Sequence, residues 1–254
     1  MPDQLLSVLT DVVLTPWGLG LLGLCVGSFL NVVIHRMPQM LERQWQADAR
    51  AMLEMPEAPD ATQTPLTLSK PASRCPKCGH QIRWFENIPL ISWLVLRGKC
   101  SACGTSIGVR YPLVELATGA LFAACYWRFG SSPTTLLWCG FVAVLVAAAL
   151  IDWDTTLLPD DLTLPLLWAG LVAAALGWNL PLKDALWGAV AGYLSLWSVY
   201  WLFKLTTGKE GMGYGDFKLL AALGAWLGWS MILPIVLASS VLGAIIGIIM
   251  KLTG

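Results

Sequence analysis

Two carboxylates in strongly apolar surroundings are the residues of this sequence with the clearest chemical potential. Asp152 ends an apolar segment in ALIDWDTTLLPDDL, and Asp216 begins another in GKEGMGYGDFKLL. An ionisable side chain inside or beside a membrane-spanning segment is costly, and by default it indicates a functional site. When two carboxylates share a low dielectric, one keeps its proton while the other ionises, and they titrate as a pair. Such a pair can hydrolyse an amide, because the ionised member activates water while the protonated member polarises the carbonyl.

Crossing parity predicts that both carboxylates lie at the same membrane boundary. Two predicted crossings separate Asp152 from Asp216, one outward and one back, so the chain returns to the side it left. As an alternative, Asp216 is only the N-cap of the helix that it begins. Asp154, Asp160 and Asp161 are weaker candidates for the pair. Asp160 or Asp161 is favoured instead as the cap of a helix that starts near residue 161.

Three glycines precede Asp216 at alternate positions. They are Gly211, Gly213 and Gly215, and glycine leaves a backbone flexible and uncrowded. We therefore expect an extended substrate strand to approach the chain closely at this point. The spacing is not that of a phosphate-binding P-loop.

Membrane helices must position these residues, because the composition is that of a membrane protein. Of the 254 residues, 56% are hydrophobic and 13% are charged, against about 25% charged in an ordinary soluble domain. The predicted fold is an all-α polytopic membrane protein, a bundle of seven to eight transmembrane helices. The apolar segment 88–96 is too short to span, so it is core or an interfacial segment unless it forms an eighth crossing. The predicted spans are residues 12–34, 112–129, 134–151, 161–179, 184–206, 215–229 and 231–250.

Close contacts between these helices are predicted at pairs of glycines four residues apart, which let helix backbones approach in lipid. The pairs are Gly188/Gly192, Gly224/Gly228 and Gly243/Gly247.

The distribution of charge predicts the orientation of the chain. The net charge is zero, which gives no indication of a nucleic-acid partner, but ten of the sixteen Lys and Arg residues fall between Arg36 and Arg110. By the positive-inside rule this segment is cytoplasmic. The predicted organisation is a first transmembrane helix over residues 1–36, a cytoplasmic domain over 37–110 and a membrane bundle over 111–254.

Two features near the N-terminus complete this organisation. The first residues have no basic n-region ahead of an apolar stretch, so we expect no removable signal peptide. The polar segment from Pro38 to about Lys70 is interpreted as a linker or an interfacial helix. A short amphipathic helix there would place its apolar residues, Leu41, Trp45, Met52 and Leu53, on one face.

Four cysteines predict a metal site in a small cytoplasmic zinc-ribbon-like domain, which we call the cysteine module (residues 74–110). Cys75 and Cys78 form one CxxC pair, Cys100 and Cys103 form another, and 21 residues separate the two pairs. Four thiolates are the ligand set of a tetrahedral structural zinc ion, Zn2+. Disulfides are the alternative, although a reducing cytoplasm disfavours them. A complete shell of four thiolates leaves no open position, so the metal is expected to be structural.

Several motifs resemble those of known intramembrane proteases. IDWDTTLLPD (151–160) and GYGDFK (213–218) look like the two aspartate motifs of the GxGD proteases, and more closely those of bacterial type IV prepilin peptidases. The same family resemblance extends to GSFLNVVIHRMP, the cysteine module, ENIPLISW and RYPLVE, in the same order along the chain. The resemblance implies that Asp152 and Asp216 are the catalytic pair. It also implies a protein of the bacterial inner membrane that cleaves the short basic leader from prepilins or pseudopilins.

The resemblance implies a second activity as well. Members of this family that have the cytoplasmic domain resemble N-methyltransferases, which use S-adenosylmethionine on the newly freed amino terminus, typically that of phenylalanine. The candidate residues in the module are Glu86, Asn87, Arg97 and Gly98. Asn31 and Arg36 are further candidates at the membrane edge, and a structural role is equally open for each of the six.

Acidic residues near the predicted boundary suggest how a basic leader would be attracted. Asp154, Asp160 and Glu115 are the candidates for this role.

Two other functions remain open on the residues alone. The first is a proton-coupled transporter, although the acids do not mark a path across the membrane and no inverted repeat is evident. The second is a non-enzymatic assembly protein that uses the cysteine module for docking.

Overall fold

The computed structural model describes residues 14–55 and 66–253, and they are almost wholly helical. Within these ranges the only β pairing is two isolated bridges in the cysteine module. The expected absence of a signal peptide, the start of the first span and part of the 38–70 segment lie outside the described residues. The helical elements are α1 (Pro16–Met52), η1 (Trp84–Asn87), α2 (Ile91–Val95), α3 (Arg110–Phe129), α4 (Pro133–Thr155), α5 (Asp160–Ala175), α6 (Leu182–Thr207), α7 (Tyr214–Leu227), η2 (Trp229–Met231) and α8 (Ile232–Thr253).

The all-helical membrane fold predicted from the sequence is confirmed. Each of the seven predicted spans coincides with a helix. Among the described residues, four helices are long and apolar enough to cross a membrane: α1, α4, α6 and the stretch Trp229–Leu252. Helices α5 and α7 have 16 and 14 residues, fewer than the roughly 20 that a perpendicular crossing needs. The exact number of crossings therefore stays a prediction.

Helix α1 is longer than the sequence indicated. We expected the first transmembrane helix to end by residue 36 and a linker or a separate interfacial helix to follow from Pro38, and a proline removes a backbone donor inside a helix. Instead, α1 continues through Pro38 to Met52. The side chain of Gln39 donates to the carbonyl of His35 over 2.9 Å beside the proline, and the residues that follow are mostly strong helix formers. The predicted amphipathic helix is thus the second half of α1.

The helices form two compact units, one ending at Thr156 and the other beginning at Leu157. The predicted division into residues 1–36, 37–110 and 111–254 describes functional modules and stays a prediction.

In the first unit, α1 and α3 run antiparallel, and their backbones come into close contact at glycine residues. A side chain at Gly23 would lie 2.7 Å from Gly119, and one at Gly27 would lie 2.7 Å from the Cα of Glu115.

The second unit has a comparable glycine contact between α6 and α7. Gly188 and Gly224 pack backbone against backbone, and a side chain at Gly192 would lie 2.5 Å from the Leu220 carbonyl oxygen. The prediction of close helix approach is therefore confirmed for these three glycines. The pair in α8, Gly243 and Gly247, has no neighbouring atom within 4 Å of a side chain placed there.

Candidate active site and metal centre

Asp152 lies in the last turn of α4, where its side chain is exposed while the preceding Ile151 is fully buried. The helix ends at Thr155, and its C-cap residue Thr156 adopts a left-handed conformation with φ of 53°. The N–H of Thr156 donates to the Asp152 carbonyl over 2.7 Å. The Asp152 carbonyl thus accepts the last hydrogen bond of the helix, and the exposed Asp152 carboxylate lies at the helix end.

Asp154, two residues further on, is tied to the first residue of α3. The guanidinium of Arg110 donates two hydrogen bonds to the two carboxylate oxygens of Asp154, over 2.8 and 2.7 Å. This bidentate geometry is the strongest form of a carboxylate pair. It fixes the end of α4 to the start of α3, and it neutralises a charge that we expected to attract a basic leader.

Asp216 lies in the first turn of α7 and is half-buried. The helix begins at Tyr214 with Gly213 as its N-cap residue, so Asp216 is the third helical residue. The alternative that Asp216 is the N-cap is therefore wrong. A carboxylate in the first turn is favoured there by the helix dipole.

Asp160 binds a lysine that belongs to the same helix as Asp216. The ammonium of Lys218 donates to both carboxylate oxygens of Asp160 over 2.7 Å. Helix α5 begins at Asp160 with Pro159 in the N-cap position and without a side-chain cap. The prediction that Asp160 or Asp161 caps this helix is wrong, because both residues lie inside its first turn.

The glycines before Asp216 are packed more closely than the sequence suggested. A side chain at Gly215 would lie 2.7 Å from the Cβ of Leu158, and one at Gly211 would lie 2.9 Å from the Phe203 ring. At Gly213 the nearest atom is an Asp216 carboxylate oxygen, 3.8 Å away. Of these three glycines, Gly213 leaves open space beside its backbone. At Gly211 and Gly215 that space is filled by the Phe203 ring and by Leu158.

A polar and aromatic cluster, which sequence reasoning missed, holds this loop. Lys204 at the end of α6 donates to the Glu210 carboxylate over 2.8 Å and to the Tyr200 hydroxyl over 3.2 Å. The hydrogen bond from Lys204 lowers the pKa of Glu210 below its ordinary value. The buried Tyr200 ring lies 5.4 Å from that of Tyr214 and 5.6 Å from that of Phe217. The sequence feature that could have predicted this cluster is the set of aromatic residues on both sides of the loop.

The two predicted catalytic aspartates belong to different compact units, Asp152 to the first and Asp216 to the second. Each carboxylate lies at the end of a helix that a nearby ion pair holds. Their action as a pair stays a prediction.

The four predicted metal ligands come together. The Sγ atoms of Cys75, Cys78, Cys100 and Cys103 all lie within 4.8 Å of one another. Two of the separations are 3.8 Å (Cys75–Cys103) and 4.0 Å (Cys78–Cys100). Tetrahedral bonds of about 2.3 Å to zinc give sulfur separations of about 3.8 Å, so the residues fit such an ion. All four cysteines are free thiols, which contradicts the disulfide alternative.

Each CxxC pair lies in a short turn, which we call a knuckle. The two knuckles share the same backbone hydrogen bond and the same glycine conformation. The N–H of Cys75 donates to the His80 carbonyl over 2.8 Å, and the N–H of Cys100 donates to the Thr105 carbonyl over 2.8 Å. Hydrogen bonds with the side chain and the backbone of Thr105 lower the pKa of Cys103 to about 6. A glycine with left-handed φ closes each knuckle, Gly79 at 71° and Gly104 at 69°.

Of the residues predicted for methyl transfer, Glu86 has a structural role in its own turn. Its carboxylate accepts the Arg83 N–H over 2.8 Å and lies 3.3 Å from the His80 ring. The pKa of Glu86 is lowered to about 2, chiefly by the hydrogen bond from Arg83. The neighbouring Asn87 is exposed.

Arg97 and Gly98 form the turn that leads into the second knuckle. Both have positive φ, 52° and 65°. Gly98 is buried, and a side chain there would lie 2.9 Å from the Trp93 ring, whereas Arg97 is exposed. Gly98 therefore allows this turn to pack against Trp93.

The two candidates on α1 also make structural contacts. The side-chain amide of Asn31 donates to the Tyr111 carbonyl over 3.1 Å. The guanidinium of Arg36 donates to the carbonyls of Thr67 and Pro71 over 2.9 and 2.7 Å. Arg36 thus anchors the loop that enters the cysteine module.

Glu115 has a role other than the one we expected. It is buried on α3, with 8% of its surface exposed, and its carboxylate accepts the backbone N–H of Leu90 over 2.8 Å. Glu115 therefore makes a structural contact, and its attraction of a leader peptide stays a prediction. The Leu90 N–H is a backbone group, so no residue type in the sequence could have indicated this contact.

Comparison with known proteins covers most of the chain. Residues 21–129 match the family described as "Bacterial Peptidase A24 N-terminal domain", and residues 139–248 match the "Type IV leader peptidase family". A protein of Stutzerimonas stutzeri named "Prepilin leader peptidase/N-methyltransferase" is 60% identical over 90% of this chain and 78% of its own. Proteins with the same name from Pseudomonas aeruginosa and Aeromonas hydrophila are 58% and 55% identical, over 91% and 90% of this chain and 79% and 78% of theirs. No solved structure matches the chain.

Proposed function

The chain belongs to the type IV leader peptidase family, and on this premise we propose that it removes the basic leader peptide from prepilins and pseudopilins. The observation that carries the proposal is the match over residues 139–248, which contains both Asp152 and Asp216. Relatives of high identity are named for the same activity. The apolar helix of the substrate would enter the bilayer beside the bundle, with the scissile bond at the membrane boundary.

Cleavage is proposed to follow an aspartyl mechanism with Asp152 and Asp216 as the pair. The ionised carboxylate takes a proton from water, whose oxygen attacks the carbonyl carbon of the leader's last glycine. The protonated carboxylate polarises the carbonyl and supplies the proton for the departing amine. No covalent intermediate forms, and the products are the leader carboxylate and a pilin with a free amino terminus. The ion pairs Arg110–Asp154 and Lys218–Asp160 hold the helices that carry the two catalytic groups.

A second reaction, methylation of the new amino terminus, is proposed from the names of the relatives. S-adenosylmethionine would supply an electrophilic methyl group to the amine. The exposed side chains of Asn87 and Arg97 are available to bind polar groups of the donor, while Glu86 and Gly98 shape the two turns. All four residues belong to the region matched by the N-terminal family description.

The metal held by the four cysteines is proposed to be a structural zinc ion. Four thiolates complete a tetrahedral shell, and zinc sites of this kind contribute to folding and not to catalysis. The bacterial inner membrane is the proposed location, with residues 36–110 in the cytoplasm. That orientation places the basic leader and the cysteine module on the same side.

Incubation of the purified protein with a prepilin and S-adenosylmethionine tests the function. We expect mass spectrometry to find a pilin that has lost its leader and gained a methyl group on its amino terminus. An intact prepilin after prolonged incubation with folded, metal-loaded protein would contradict the proposal.

A further inference from the structure

The cysteine module exposes a set of large apolar side chains along η1 and α2. Trp84 is 81% exposed, Leu94 is 66% exposed and Val95 is 75% exposed. Phe85, Ile88 and Ile91 add to the same exposed surface. An apolar surface of this kind on a folded module indicates a site of interaction with a membrane or another protein. We call residues 84–96 the apolar segment.

Hydrogen bonding fixes the depth of this segment relative to α1. The N–H of Leu90 donates to Glu115 on α3, and the backbone of Glu115 packs against Gly27 on α1. Arg36, the first Arg or Lys on α1, lies nine residues beyond Gly27, which is about 13 Å along a helix. Helical side chains point toward the N-terminus of their helix, so Leu90 lies somewhat nearer to the level of Arg36 than Glu115 does. The start of α2 nevertheless lies beside the apolar part of a membrane helix.

A groove between α2 and α3 extends this apolar surface. It has a volume of about 320 Å³ and is lined by apolar residues, among them Leu90, Trp93, Leu113 and Leu116. Leu113 and Leu116 are themselves more than half exposed on α3. The groove is therefore continuous with the outer face of α3, and its apolar lining suits an acyl chain.

Three polar groups of the apolar segment are paired inside the protein. Besides the Leu90 N–H, the hydroxyl of Ser92 donates to the Ile88 carbonyl over 2.8 Å. The indole N–H of Trp93 donates to the Ile107 carbonyl over 3.3 Å. Leu90 holds a positive φ of 58°, an uncommon conformation that persists only where surrounding contacts impose it. Backbone of irregular shape is tolerated at membrane depth only when its polar groups are satisfied in this way.

Basic residues flank the apolar segment on both sides. Arg83 precedes it, Arg97 and Lys99 follow it, and all three are exposed. Exposed cations beside an apolar surface favour a bilayer that contains anionic lipids. This arrangement fits a lipid surface better than the apolar face of another protein.

We propose that residues 84–96 insert into the membrane interface and hold the metal-binding module against the bilayer. A lipid acyl chain occupies the groove between α2 and α3, and Arg83 and Lys99 contact anionic head groups. The proposal concerns the attachment of the module and is independent of the peptidase reaction.

Photocrosslinking of the full chain in lipid nanodiscs tests this inference. A benzophenone amino acid replaces Val95 on the exposed surface, Leu94 at the groove, or Lys77 between the first two metal ligands as a control. The nanodiscs contain phosphatidylethanolamine and phosphatidylglycerol, and mass spectrometry identifies the adducts. We expect lipid adducts at positions 94 and 95, several-fold more abundant than at position 77. Similar lipid yields at all three positions would overturn the proposal.

A second arm of the experiment distinguishes a lipid surface from a substrate-docking surface. Prepilin is added in excess before irradiation. Lipid adducts at Val95 should persist in its presence. If prepilin adducts replace them, the surface binds the substrate and the proposal is wrong. Retained metal shows that each probe leaves the module folded, and Ile91 is an alternative probe position on the same exposed surface.

Discussion

Arg110 at the start of α3 and Asp154 in the last turn of α4 are joined by two parallel hydrogen bonds of 2.8 and 2.7 Å. Asp154 lies two residues after Asp152, and residues two apart on a helix do not face the same way. The ion pair therefore holds one side of the helix end while Asp152 faces another. In the second unit, Lys218 lies two residues after Asp216 and binds Asp160. On each helix that carries a proposed catalytic carboxylate, the charged residue two positions further on is thus tied to another helix.

Replacing Arg110 with alanine should slow leader cleavage more than it lowers stability. The pair is partly exposed, with 47% and 32% of the two side chains accessible, and such pairs stabilise proteins by only about 0–1 kcal/mol. A small displacement of a catalytic group, in contrast, costs up to about 100-fold in rate. We expect kcat to fall about 10- to 100-fold with little change in thermal unfolding.

The matched control is Arg128→Ala, at the other end of the same helix. It should cleave at the rate of the unsubstituted protein. Wild-type kcat in Arg110→Ala would show that the ion pair does not position Asp152.

Substitutions at two of the glycines before Asp216 should differ in their effect on stability. In Gly215→Ala the new methyl group would lie 2.7 Å from Leu158, and overpacking of this kind costs about 1–3 kcal/mol. In Gly213→Ala the nearest atom is 3.8 Å away and φ is −81°, so stability should be preserved. Thermal unfolding and a cleavage assay measure both effects.

Loss of cleavage in a stable Gly213→Ala variant, with normal activity in Gly215→Ala, would contradict the packing explanation. It would favour the sequence-based expectation that these glycines admit the substrate backbone.

The sequence predicted the features that depend on local pattern. Apolar stretches of helical length gave the helices, and the two CxxC pairs gave the cluster of four thiols. The sequence failed where a distant group decides the role of a residue. Asp160 binds Lys218 instead of capping its helix, and Glu115 binds the backbone of Leu90. Neither partner leaves a pattern along the chain, because both contacts arise from helix packing.

Removal of the metal should damage the module before it affects leader cleavage. Structural zinc in small modules contributes about 10–16 kcal/mol of apparent binding energy to folding. A chelator, or Cys78→Ser, should release the metal, increase proteolysis of residues 66–109 and abolish methylation. Cleavage of a prepilin should continue at first, and immediate loss of cleavage with an intact module would contradict a structural role.

Substitutions at Gly98 and Asn87 should separate structural from direct effects on methylation. Gly98→Ala introduces a methyl group 2.9 Å from the Trp93 ring at a φ of 65°, so the module should lose metal more readily and methylate poorly. Asn87 is exposed, so Asn87→Ala should keep its metal while methylation falls. Metal content and methyl transfer to a leaderless pilin measure the two effects. Normal methylation by Asn87→Ala would remove Asn87 from the proposed donor site.

The most direct test of the proposed dyad is leader cleavage by purified Asp152→Asn and Asp216→Asn, with Asp161→Asn as the matched control. Each asparagine preserves the size of the side chain and removes its ability to exchange a proton. General acid–base groups contribute about 10²- to 10⁴-fold, so we expect each of the two variants to lose at least about 100-fold in kcat. Both should still methylate a leaderless pilin, and Asp161→Asn should cleave normally. Wild-type cleavage by either Asp152→Asn or Asp216→Asn would contradict the aspartyl mechanism.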